Sequence, residues 1–274
     1  MALASECRMR LQEYAEISGG FLDDLPLEIK AARPKLLTLH IVGCPNDVKG
    51  WAAIDAAEAT GPLGVSTAVA LEHFSAQALD KDAPTGAVRT FITIGIDGNN
   101  EIVARIETQD DTAGTTEITT TNLYKEAFHA YANSWGSDEA PAHNAKGNIT
   151  IQKLTDEDLL IIPAGDNESN GTEFLVPDDH VCMLYGGHLS REATAADEGV
   201  LIRMIYQNAV DVLLAAGDAA INWIDFSAGL YCTYTEIPKG QMFEAGTWLT
   251  FWHSSMVNLG ETYDLQLNFL IWKK

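Results

Sequence analysis

The stretch TGAVRTFITIGIDGNNEIVARIETQ, residues 85–109, constrains the fold more than any other part of the chain. Along AVRTFITIGI, β-branched and aromatic residues alternate in a period of two, and EIVARIET answers in the same period. Between the two runs, Asp97-Gly98-Asn99-Asn100 supplies residues that tolerate positive φ in a tight connection. A β-hairpin is predicted here. A ribbon with one apolar side must bury that side against a second layer, so the hairpin already implies a layered β architecture.

The pattern recurs along the chain. A first strand is expected at 36–42, and others at NITIQKL, LLIIPAG, TEFLV, VCMLYGG, VLIRMIYQ, GLYCTYTEI, TWLTFWH and YDLQLNFLIWK, with turn residues such as Pro177-Asp178-Asp179, Pro238-Lys239-Gly240 and Asn258-Leu259-Gly260 between them. Many short strands with polar turns every 8 to 15 residues or so indicate β-sandwich or jelly-roll layers rather than a parallel α/β sheet. The fold class is therefore read as mainly β, in one or two β domains, with one or two short helices. The helices are expected at SECRMRLQEYAEI and AVDVLLAAGDAAINW; STAVALEHF reads equally as helix or strand, and TTEITTTNLYKEAFHAYANSW mixes a Thr-rich strand signal with helical spacing. Residues 1–45 read as an N-terminal arm or peripheral segment, 46–157 as a first β domain and 158–274 as a second, jelly-roll-like one.

Charge excludes several partner classes. The chain carries 39 Asp plus Glu against 17 Lys plus Arg, a net charge of −22. Phosphate backbones and anionic membranes are bound through clustered Lys and Arg. The densest basic stretches, KAARPK and the terminal KK, are too thin for either role, so no direct nucleic acid and no membrane is expected. The N-terminal residues lack the apolar core of a secretion signal, with Glu6, Arg8 and Arg10 in its place. Cys7, Cys44, Cys182 and Cys232 are widely spaced, and buried thiols are expected rather than disulfides. With no signal peptide expected, the sequons at Asn148, Asn167 and Asn170 are read as composition, not glycan sites.

Candidate chemistry is sparse. PDDHVCMLYGGH places Asp178, Asp179, His180, Cys182 and His188 close in sequence, yet no second Cys/His pair completes a tetrahedral zinc set. DGNNE resembles the start of a calcium loop but lacks the sixth-position glycine and the distal glutamate. There is no GxSxG elbow and no phosphate-cradling glycine motif. No catalytic residue, metal or cofactor is assigned. The tryptophans carry more weight. In TWLTFWH, Trp248, Thr250 and Trp252 share one face while Leu249 and Phe251 share the other. A strand apolar on both faces is covered on both, between layers or under a partner subunit. Trp248, Phe251, Trp252 and Trp272 are accordingly expected to form an assembly interface.

TGAVRTFITIGIDGNNEI resembles a pattern in structural proteins of tailed bacteriophages of aquatic hosts, through Thr85, Gly86, Ala87, Arg89, Thr90, Gly95, Asp97, Asn100, Glu101 and Ile102. TTTNLYKEAFHAYA, NAKGNITI and the FLVPDDHVCMLYGGHLS strand entry are similar to further segments of that family, so the resemblance spans roughly residues 40–210. Pro177 is followed by Asp178-Asp179 where the family has glycine, and MFEAGTWLTF stands where a Pro-Glu-Lys-Thr-Asp run is usual. The resemblance implies a virion structural protein, assembled in the host cytoplasm: a head decoration or cement protein, homotrimeric, bound to copies of itself and to the major capsid protein or other virion proteins. A neck or tail protein, or a tail adhesin binding host surface carbohydrate, is the alternative. A hydrolase of surface polysaccharide is a third class, marked by two carboxylates facing each other across a cleft.

Overall fold

The computed structural model describes residues 8–16, 25–43, 52–53, 67–137, 143–154, 158–169, 173–192, 200–208, 222–228, 234–236, 240–255 and 262–274. The chain is mainly β, and its sheets are antiparallel. It divides into two compact units, one formed by Met1–Ala56 with Thr172–Lys274 and the other by Ala57–Gly171.

The first unit begins with β1 (Arg8–Glu16), the five-residue helix α1 (Leu27–Ala31), β2 (Lys35–Gly43) and β3 (Ala52–Ala53). The second contains β4 (Val69–Ser75), β5 (Val88–Ile96), β6 (Ile102–Thr108), β7 (Ile118–Tyr124), β8 (Glu126–Trp135), β9 (Ile149–Lys153) and β10 (Asp158–Ile162). The chain then returns to the first unit with β11 (Glu173–Leu175), β12 (His180–Glu192), β13 (Val200–Asn208), β14 (Asn222–Ala228), β15 (Tyr234–Glu236), β16 (Met242–Phe243), β17 (Thr247–Ser255) and β18 (Thr262–Lys273).

In the first unit, one sheet runs β1-β2-β18-β12-β15 with β16 also on β12, and the other runs β11-β17-β13-β14 with β3 also on β17. The chain crosses from β12 to β13 and β14, back to β15, then to β17 and finally to β18. This alternation between a six-stranded and a five-stranded layer is jelly-roll connectivity. Rings join the layers: Tyr206 of β13 meets Phe243 of β16 edge-on at 5.3 Å, and Phe243 meets Phe269 of β18 at 6.2 Å. Across β13 and β14, Arg203 grips Asp225 through two bonds of 2.7 and 2.9 Å. Gly187 lies beside a bulge between Leu184 and Gly186. A Cβ at Gly187 would come within 2.1 Å of the Gln266 carbonyl, which explains the paired glycines of VCMLYGGH.

One strand of this unit is interrupted. On β17, Trp252 and His253 pair with Ala53 and Ala52, while Thr250, Leu249 and Trp248 pair with Glu173, Phe174 and Leu175. β3 and β11 thus continue one another along the same side of β17, with only Phe251 between their partners. The 57–171 unit is inserted at that single strand position. The domain boundaries expected from sequence are corrected accordingly. The break at 157 and 158 falls between β9 and β10, which pair with each other inside the inserted unit. Residues 8–16 and 35–43 form no arm either: β2 pairs on one side with β1 and on the other with β18. SECRMRLQEYAEI holds a strand, not a helix, because pairing along β2 overrides the weak helical preference of RMRLQEYAE. AVDVLLAAGDAAINW lies mostly outside the described residues, except for its last two, which start β14.

The inserted unit has a β10-β9-β4-β7 sheet and a β6-β5-β8 sheet. The predicted hairpin is β5 and β6, with Ile96 opposite Ile102. Its turn is closed by Asp97 Oδ1, which accepts the Asn99 N–H at 2.8 Å and the Glu101 N–H at 3.1 Å, and Asn100 takes φ 63°. The carboxylate that suggested a calcium loop is thus engaged within its own turn. STAVALEHF resolves as strand from Val69 onward, in β4, and the ambiguous TTEITTTNLYKEAFHAYANSW as β7, which holds the Thr run, and β8, broken at Lys125. Phe91, Leu71, Tyr124, Ile149, Ile151 and Ile162 meet in the core between the sheets. Gly95 sits where β5 passes β8, and a Cβ there would lie 2.1 Å from the Glu126 carbonyl and 2.9 Å from Tyr124 Cδ1. The neighbour at 2.1 Å is backbone and cannot swing aside. Gly95→Ala is therefore expected to destabilise the inserted unit by about 3 kcal/mol, read as a lower urea midpoint.

Candidate functional site

The aromatic residues expected at an assembly interface are distributed by the geometry of β17 and β18. Trp248 lies between Leu175 of β11 and Gln207 of β13 in register and is 2% exposed; Phe251 lies opposite Met204 and is 1% exposed. Leu249 and Thr250 are buried as well. Both faces of the strand are therefore covered over residues 248–251, and the cover is the chain's own unit. That corrects the expectation for Trp248 and Phe251, whose bulk fills the protomer and leaves no surface to offer a partner. Trp272, opposite Val181, is half-buried near the end of β18. The Trp252 backbone pairs with Arg203 and Ala53, and its side chain is outside the described set.

The PDDHVCMLYGGH residues do not converge. Asp178 and Asp179 are exposed in the turn before β12, while the buried His180 places Nδ1 3.0 Å from the Asp178 carbonyl. Cys182 is a free, fully buried thiol, and burial pushes its pKa up, away from thiolate chemistry. Cys7, Cys44 and Cys232 lie outside the described residues.

The most concentrated buried polar chemistry lies in the inserted unit, and sequence reasoning did not single it out. Asp80 is fully buried in the loop after β4. Its Oδ2 accepts the Ser75 hydroxyl at 2.7 Å and the Gly147 N–H at 2.9 Å. Its Oδ1 accepts the Val88 N–H at 3.3 Å, and the Lys146 N–H reaches both oxygens at 3.0 and 3.1 Å. One carboxylate thus ties the end of β4, the start of β5 and the loop before β9.

A second cluster closes the β6–β7 side. Glu107 turns inward from β6, and one of its oxygens accepts both the Tyr124 hydroxyl at 2.6 Å and the Asn122 amide at 2.9 Å. Burial raises the Glu107 pKa, opposed by these two donors and by Arg105; burial and the neighbouring carboxylate both raise that of Tyr124. An inward charge on β6 and a register shift where Thr120 Oγ1 takes the Leu71 N–H both discourage pairing with foreign strands. Tyr124→Phe removes a charge-assisted donor from a buried acid. The expected loss is about 2 kcal/mol at pH 7.5, with a further rise in the Glu107 pKa. Because protonating Glu107 relieves the missing bond, that loss should shrink as pH falls through the raised pKa, which urea denaturation of both proteins at pH 7.5 and 5 will show.

The third group is His73 with Gln109 and Thr93, all buried; the Gln109 amide lies beside the His73 ring and Thr93 near Tyr124, but none of their side-chain polar atoms makes a hydrogen bond of good geometry. The His73 ring stands edge-on to Phe91 at 4.9 Å. No sequence signal marks these residues, because each belongs to an alternating strand or its extension and only the sandwich brings them inward. No protein-family model matches the chain, and no curated protein is detectably similar to it.

Proposed function

We propose that the protein is a structural component of a tailed-phage virion, a decoration or cement protein that stabilises the head through contacts with the shell and with copies of itself. The observation that carries this reading is where the phage-like residues fall. Thr85 to Ile102 form the first strand and turn of the β5–β6 hairpin, in a β-sandwich that is set into one strand of a jelly-roll unit. Such a chain offers two compact β units for lateral contact. A partner that binds only the assembled lattice shifts the equilibrium towards it by mass action. The net charge of −22 suits a surface facing away from the packaged genome. The assembling species is a homotrimer, located in the virion.

Mass spectrometry of particles purified from infected host cells is the test, with the protein expected in fixed stoichiometry to the major capsid protein. Its absence from particles would end the proposal. Light scattering of the isolated protein tests the trimer. A tail adhesin would need exposed aromatic rings to stack on sugars, and Trp248 is buried within its own unit. A glycan array tests that alternative.

A further inference from the structure

We propose that His73 makes the 57–171 unit an acid-sensitive element, which opens on acidification while the jelly-roll unit stays folded. The imidazole is 1% exposed, and neither ring nitrogen makes a hydrogen bond of good geometry; the side chain that interacts with it is the neutral Gln109 amide. It projects from β4 into the sandwich interior against Phe91, with the Gln109 amide beside it. A neutral ring is tolerated in such a place, whereas an imidazolium needs two acceptors and water or a counter-charge.

The surroundings offer neither. Ionisable groups on the elements around it are Glu72 on β4, Arg89 on β5, Arg105 and Glu107 on β6, Glu117 and Tyr124 at β7, Glu126, His129 and Tyr131 on β8, Lys153 on β9, and Asp80, Lys81, Asp82, Asp110 and Asp111 in the adjoining loops. Glu107 is bonded to Tyr124 and Asn122, Asp80 is ringed by donors, Arg89 pairs with Asp82, and Asp110 accepts its own turn's N–H groups from Thr112 and Ala113. None of them bonds the ring. Burial lowers the His73 pKa from 6.5 to about 4, and only the Gln109 amide opposes the shift.

The sign follows directly. The opened chain takes up the proton near the ordinary value and the folded unit only near the lowered one, so between them each fall in pH favours opening. From pH 7.5 to pH 5 this single group raises the opening constant roughly thirtyfold. Glu107 works in the opposite direction, because its raised pKa means that protonation favours the folded unit. The His73 contribution is therefore read as the difference between wild type and a variant that keeps Glu107.

The test is hydrogen exchange by mass spectrometry on the full chain at pH 7.5 and pH 5, corrected for intrinsic exchange, with His73→Phe alongside. Peptides covering β4, β5 and β9 are expected to lose protection at pH 5 in the wild type by roughly thirtyfold more than in H73F, while β12 and β18 hold theirs. Equal losses in the two proteins would overturn the proposal. So would loss in β12 and β18 in step with β4. A ring resonance titration of wild-type His73 stands independently of any variant that fails to fold: a midpoint well below 6.5 supports the proposal, and an ordinary midpoint overturns it.

Discussion

Asp80→Ala is expected to cost the inserted unit at least about 4 kcal/mol, a large part of the stability of a domain its size. The carboxylate accepts from Ser75, Val88, Lys146 and Gly147, and alanine leaves all four donors inside the protein without an acceptor. Each buried donor stranded in this way costs about 1–3 kcal/mol, and the terms are not additive because the loops relax together. Asp80→Asn keeps the shape but turns an NH₂ group towards backbone donors, with an expected loss of at least about 2 kcal/mol. Urea denaturation read through Trp135 isolates the effect, since Trp135 is the tryptophan that lies within 57–171. A loss under about 1 kcal/mol for the alanine variant would mean that the loops hold their places without the carboxylate.

Deleting residues 54–171 and joining Ala53 to Thr172 is expected to leave a folded jelly-roll unit. The junction places one residue between Ala53 and Glu173, matching the one residue, Phe251, that separates their partners on β17. The joined strand can then continue along β17 without a change of register. A folded insert brings its own two ends together, so its removal takes away no closure that the host unit needs. The joined chain should be soluble, strand-rich by circular dichroism and cooperative in urea, with the transition that Trp135 reports in the full chain gone. Aggregation of the joined chain, set against a well-behaved parent, would show that the host unit depends on the insert.

How much of this the sequence disclosed depends on how local each determinant is. The hairpin of β5 and β6 was legible because its turn chemistry and both alternating strands lie within a few residues of each other. The strand character of β1 was not, since RMRLQEYAE carries no strong period and its state is decided by pairing with β2, itself held by β18 from the other end of the chain. The inserted unit was invisible for a similar reason: β3 and β11 are halves of one strand whose unity shows only through their common neighbour. TWLTFWH announced that both its faces would be covered, but strand periodicity cannot tell an inner layer from another subunit. Asp80 is one of 39 acidic residues in an unremarkable ALDKDAPTG loop, and its importance comes from four donors spread from Ser75 to Gly147.

The pairing of β2 with β18 also governs the order in which the molecule can be built during translation. Residues 57–171 find all their strand partners within one continuous span, so this portion can fold as soon as it leaves the ribosome. β2 emerges earlier, yet one of its edges must wait for β18, which is made only after the whole inserted unit. Until β18 emerges, that edge is open to any neighbouring nascent chain.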